Sequence, residues 1–194
     1  GYDDGNKLYT RGDGNKGSDI SRVFERGLGV FNNSERGQGP GEIVVKRSYF
    51  EKYLSNHFEY PRNFQASLIK EKELDKLAID AISAKAALFV PFNQLPHWLG
   101  GIDEFRRQFL DVVSQLEGGV DFDIDGVVFE IVNPELKKHM GSNRKFHRWQ
   151  IAFKENKEKA QVKVLSITAQ VGRTGKITPV AELEPTQLSG ATIY

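Results

Sequence analysis

Hydrophobic and polar positions alternate most sharply between Val120 and Lys154. Asp121, Asp123 and Asp125 interleave with Phe122 and Ile124, Gly126 breaks the run, and a β-branched and aromatic stretch follows. The pattern predicts a strand, a bend and a second strand. A basic stretch (Lys137, Lys138, Arg144, Lys145, His147, Arg148) then leads into a short strand, WQIAFK, ending at Lys154. Carboxylates on one strand are expected to face cations on the next.

Upstream, Asp3-Asp4-Gly5-Asn6 predicts a hairpin between short strands, and Arg11-Gly12-Asp13-Gly14 a second turn. Ser18 or Asp19 is expected to cap a helix from Ile20. Asn32 to Gly41 reads as a linker, Glu42 to Lys46 as a strand, and Ser48 as the cap of a helix near Tyr49 with Glu51 as its capping-box partner. In residues 60–70 Asn63 is expected to hold a turn. Residues 71–86 are expected to be helical, with Leu74, Leu77, Ala78, Ala81 and Ile82 on one face. The strand AALFVPF and a helix from Asp103 to Leu116 follow, the helix presenting Phe105, Phe109, Val112, Val113 and Leu116 to a core that Trp98 anchors. Past the charged linker ENKEKAQ, the runs VKVLSITAQV and ITPVAELEP predict strands joined by a Gly-Arg-Thr-Gly turn.

Composition narrows the classes. With 194 residues and 39% hydrophobic content, the chain has material for one ordinary core and part of a second unit. A net charge of +1 and a pI near 8.1 give no global attraction to nucleic acid, so any such binding must be local. No cysteine is present, which excludes disulfides and thiolate metal sites within these residues. No apolar run approaches eighteen residues, so a soluble, cytoplasmic protein without a membrane span is expected.

The four histidines form no pair at metal-ligand spacing, and no Gly-x-Ser-x-Gly elbow or Ser/His/Asp order appears. No metal ligand is therefore assigned. The acidic and basic residues of 120–154 suit a polyanion arriving with a metal: Lys154 would hold a phosphate, and Asp125 would accept a hydroxyl or act behind a divalent ion. A solvated hairpin with merely polar faces accounts for the same residues.

DIDGVVFEI and RWQIAFK resemble the fourth and fifth nucleotidyltransferase motifs of NAD-dependent DNA ligases. QVGRTGKITPVAELEP (Gln170 to Pro185) is similar to the start of that family's oligonucleotide-binding barrel. TRGDG around Arg11, Gly-Glu at Glu42, PRN around Arg62 and the aromatic end of AALFVPF at Phe92 resemble further motifs, in the family's order. The resemblance implies an α+β fold: an ATP-grasp-like nucleotidyltransferase domain of antiparallel sheets with flanking helices over 1–155, N-terminally incomplete, and the beginning of an OB-fold barrel over 156–194.

By the same resemblance Arg11 contacts the nucleotide phosphate or the nicotinamide mononucleotide leaving group, Glu42 the ribose and Phe92 the adenine, while Asp125 and Lys154 are catalytic as well as nucleotide-binding. Arg62, Arg173 and Lys176 would meet DNA. The implied enzyme uses NAD and Mg²⁺ to seal nicks in double-stranded DNA, through enzyme-AMP and DNA-adenylate intermediates, in replication and repair. A non-catalytic ligase-like module holding nucleotide or DNA is the alternative.

Two departures matter. The family's attacking lysine lies in a Lys-x-Asp-Gly motif upstream of the first hairpin, and no lysine among residues 1–10 stands in such a motif. A preceding segment or second polypeptide would carry it, and these 194 residues alone are expected not to adenylate themselves. Glu130 also stands where the fourth motif ends in a lysine, which implies weakened adenylation unless Lys137 or Lys138 compensates.

Overall fold

The computed structural model describes residues 1–143, 146–154, 160–188 and 191–193. Arg144 and Lys145 of the predicted basic stretch and most of the predicted linker, residues 155–159, lie outside them. Two compact units are present, Gly1–Lys154 and Glu155–Tyr194, and together they mix α and β elements.

The first unit opens with the predicted hairpin, β1 (Tyr2–Asp4) and β2 (Leu8–Tyr9). Its turn uses Gly5 at φ 88°, a conformation that costs glycine little. The 11–14 turn likewise has Gly12 at 52° and Gly14 at 95°. The next helix, α1 (Arg22–Glu25), starts two residues later than the pattern suggests. Asp19 does not cap it; its carboxylate accepts from the Ser21 amide and hydroxyl, an Asx turn that uses up the capping group.

That carboxyl is held down to about 2, chiefly by the Ser21 hydroxyl, then the Ser21 amide and Lys7. A depressed acid stabilises the fold in its ionised form, so this contribution is complete above about pH 4 and fades as pH falls toward 2. Thermal unfolding compared with an Asp19→Asn variant should show the native advantage at pH 5 shrinking steadily below pH 4; a constant difference would contradict the assignment.

Strand β3 (Gly29–Val30) precedes β4 (Gln38–Val45), which begins four residues before the predicted strand. Gly39 and Pro40 enter the ladder because β1 pairs with them, a long-range partner that local turn propensity does not register. Then come α2 (Arg47–Tyr49), a π-turn over Phe50–Leu54, α3 (Pro61–Leu68), α4 (Lys76–Ser83), β5 (Ala87–Pro91) and α5 (Ile102–Gly118). Three expectations fail: the helix expected over 71–86 is confined to Lys76–Ser83, where the Asp75 side chain caps it. Ser48 lies inside a helical turn and donates its hydroxyl to Asp121 instead of capping. Residues 61–68 are helix rather than a turn around Asn63, with Pro61 in the first turn where its missing N–H costs nothing.

The five-stranded sheet runs β2-β1-β4-β5-β3, with β3 parallel to β5 and the other neighbours antiparallel. Alternation along β4 and β5 gives the sheet two apolar faces. Val45, Ala87 and Phe89 join Val23, Phe64, Leu68, Ala81 and Ile82 from the helices in the main core. Val44 and Val90 on the other face pack with Phe122, and with Phe31, Leu88 and Ile124 around it.

Residues 120–124 form no strand, contrary to the alternation. Their apolar positions face the sheet as the pattern demands, but their backbone is tied elsewhere: Arg47 donates from its amide to Asp121 O and from its guanidinium to Phe122 O and Asp123. β6 (Val127–Glu130), α6 (Pro134–Met140) and β7 (Gln150–Phe153) complete the unit, β6 and β7 pairing antiparallel. Phe105 and Phe109 of α5 pack on Phe129, and Phe109 on Phe153.

The second unit pairs β8 (Val164–Val171) with β9 (Ile177–Leu183) around the Gly172–Gly175 turn, and β10 (Thr186–Leu188) with β11 (Ala191–Ile193).

Candidate functional site

Three of the residues singled out by sequence meet at one place. Arg11 from the glycine-rich turn, Glu42 from β4 and Arg62 from the first turn of α3 all line a cleft of about 270 Å³. Thr10, Gln65 and the apolar Ile43, Ala66 and Phe89 are among the other residues of its wall. Two arginines and a glutamate at one cleft with apolar walls suit an anionic ligand that also carries hydroxyls. Thr10 opens the TRGDG run, whereas Gln65 carries no signal in the sequence; it stands three residues after Arg62 in α3.

Phe92, Asp125 and Lys154 do not line this cleft. They belong with the opposite face of the sheet. Glu42 pairs with Val90, and strand alternation places both on the face covered by Phe122. Phe92, two residues past Val90, starts a 3₁₀ turn and is 47% exposed, so a flat aromatic is left for stacking. Asp125 follows Ile124 directly, and its carboxylate accepts from Lys154 Nζ at 2.6 Å. Glu42 thus lines the arginine cleft from β4 with its side chain on the strand face that leads to Phe92.

Gly126 makes the Asp125–Lys154 pair possible. A Cβ there would lie 2.3 Å from Phe153 O and 2.8 Å from Lys154 Cγ. Gly126→Ala should therefore push β7 away and cost about 1–3 kcal/mol, as overpacking does. Urea unfolding tests this against Gly101→Ala, where an added Cβ meets nothing within 4 Å; equal midpoints for the two variants would refute the close approach.

At the other end of the hairpin, Glu130 accepts from Lys137 Nζ and from Gln150 Nε2, each at 2.8 Å. Its carboxyl is held below the usual range, by the Lys137 hydrogen bond first and the Gln150 bond second. Of the two lysines expected to offset Glu130, Lys137 is the one that meets it. Asn133 and Pro134 explain the placement: the Asn133 side chain caps α6 and Pro134 occupies its first turn, so Lys137 comes round beside the strand.

Arg173 and Lys176 lie in the β8–β9 turn region, where Gly172 and Lys176 close the loop by a backbone bond. Among the described residues no group of three or more His, Asp or Glu side chains gathers to hold a metal, and no helix is long and apolar enough to cross a membrane.

Comparison with known proteins adds to this geometry. Residues 161–194 match the OB-fold domain of NAD-dependent DNA ligases. The whole chain is 69% identical, over 193 residues, to the DNA ligase of Ruthia magnifica subsp. Calyptogena magnifica, of which it spans 31%. It is 54% identical over 192 residues to that of Shewanella baltica, covering 99% of this chain and 30% of the relative. The DNA ligase of Anaplasma marginale is 32% identical over 211 residues, covering 96% of this chain and 31% of the relative. The chain therefore spans about a third of the length of the curated relatives it matches. Along its length the chain is thus similar to DNA ligases, and its residues 161–194 match the OB-fold domain of the NAD-dependent ones.

Proposed function

We propose that the chain forms the central part of an NAD-dependent DNA ligase that seals 5′-phosphate/3′-hydroxyl nicks in duplex DNA through enzyme-AMP and DNA-adenylate intermediates. Residues 1–155 act as its nucleotidyltransferase domain and 156–194 begin its OB-fold domain. The observation that carries the reading is the convergence of Arg11, Glu42 and Arg62, from three separate segments, on one cleft. A surface serving only packing has no need of two arginines and a glutamate brought to one cleft from so far apart in sequence.

NAD is the substrate that donates AMP. Arg11 takes a phosphate or the departing mononucleotide, Glu42 the ribose hydroxyls and Phe92 the adenine face. Lys154, oriented by Asp125, holds the α-phosphate, while Arg62, Arg173 and Lys176 take DNA phosphates. Each step moves a phosphoryl group, so rate comes from positioning and from neutralising charge. Mg²⁺ assists the reaction as an ion carried by substrate phosphates; the described residues form no site of their own for it. The attacking lysine comes from outside these residues. The enzyme works in the cytoplasm, in replication and repair.

The test is sealing of a nicked duplex by the full natural protein. Sealing that depends on NAD, and that falls on Arg11→Ala or Glu42→Ala, is expected. Tight binding of nicked DNA with no sealing would replace this reading with a ligase-like binding module.

A further inference from the structure

The two faces of the β6–β7 hairpin differ. Phe129 and Phe153 turn toward α5. Alternation puts Val128 and Glu130 of β6, with Ala152 and Gln150 opposite them, on the other face, where Val128 is 59% exposed. Carried one residue further, it places Lys154 there too. This face has an ion pair at each end, Lys154 with Asp125 and Lys137 with Glu130, and a small apolar floor between. Such a surface suits a ligand with an apolar body and phosphate groups.

The Lys137 ammonium is unusually well fixed for a surface lysine. Glu130 holds it at 2.8 Å, and it stands 4.4 Å from the centre of the Trp149 ring. Gln150 ties down the second oxygen of Glu130, and His147 stacks on Trp149 at 4.5 Å between ring centres. The Lys137 side chain is 26% exposed, against 59% for Lys154. An exposed ion pair stabilises a fold by only about 0.2–1 kcal/mol, a small return for ordering five side chains. The arrangement makes better sense as preorganisation of a charge: an ammonium has three N–H groups, and one is committed to Glu130.

We propose that Lys137, held over Trp149 by Glu130, is a phosphate-binding residue of this face, with Glu130 and Trp149 as its positioning residues. The inference rests on the ligase reading, in which Lys154 on the same face holds the nucleotide. It assigns the acidic Glu130 a purpose: the positive charge that the strand lacks arrives from α6 instead.

The test is lysine acetylation of the full natural protein, read residue by residue by mass spectrometry, with AMP or adenosine added. AMP should slow acetylation of Lys137 by about tenfold or more, on the scale of a preorganised charge contact, while adenosine, lacking the phosphate, should not. Equal acetylation with and without AMP overturns the proposal. In parallel, Lys137→Met should slow AMP loading by about tenfold or more, and the exchange Glu130→Lys with Lys137→Glu should restore most of the rate, since an ammonium again stands at the pair. An unchanged rate in Lys137→Met would overturn the proposal as well. If the native protein takes up no AMP but AMP still protects Lys137, the ligase reading fails and the phosphate site stands.

Discussion

Replacing Lys154 with methionine should lower the rate of AMP loading in the full natural protein by about 10²–10³-fold, the usual cost of removing one preorganised donor to a reacting oxyanion. The fold should survive. Lys154 and Asp125 are 59% and 87% exposed, and an ion pair that open to solvent contributes under about 1 kcal/mol. Methionine keeps an unbranched chain to lie over Gly126, where the Lys154 Cγ packs. Single-turnover AMP transfer measured beside a urea midpoint separates the two quantities. A large rate loss with an unchanged midpoint is expected; a rate within twofold of the native protein would remove Lys154 from the chemistry.

Arg36→Ala should be the most damaging single change to stability outside the apolar core, at about 3 kcal/mol. Asp3 is 2% exposed, one of two buried polar or charged residues among the described residues. Its carboxylate takes both Nη2 and Nε of Arg36, at 2.6 and 3.2 Å, and the Gly5 amide. The guanidinium also lies 3.9 Å over the Phe24 ring. Truncation leaves a buried carboxylate without its cation and strips a stacking partner from α1. Arg36→Lys should recover only part of the loss, because a single ammonium cannot reproduce the two-pronged contact. Chemical denaturation of the three proteins checks this; a loss below about 1 kcal/mol would mean that water replaces the guanidinium at Asp3.

The elements that the sequence predicts well are those whose cause is local. The first hairpin follows from Asp3 to Asn6, α5 from its apolar spacing, and the β8–β9 pair from two alternating runs around a glycine turn. Elements fixed by distant partners were harder to read. Nothing near Gln38 announces a strand, because β1, some 35 residues earlier in sequence, supplies the pairing. The 120–124 segment alternates like a strand and buries Phe122 as a strand would, yet Arg47 holds its carbonyls where a neighbouring strand would be needed. Pro61 did carry a local helix signal, outweighed by reading Asn63 as a turn residue.

The candidate site divides in the same way. Arg11, Glu42 and Arg62 can each be picked out by their motifs, but their meeting in one cleft depends on sheet order and on how α3 packs beside β4, which spacing does not encode. The Asp125–Lys154 pair follows from a strand register that the alternating pattern anticipates. Lys137 was only one of two candidates to offset Glu130, and the choice between adjacent lysines needs the phase of α6.

The most direct test of the ligase reading is the intact mass of the full natural protein after incubation with NAD and Mg²⁺. A gain of one AMP, absent when NAD is withheld, is the predicted result. An unchanged mass under conditions where the protein still binds nucleotide would contradict nucleotidyl transfer and leave a binding module.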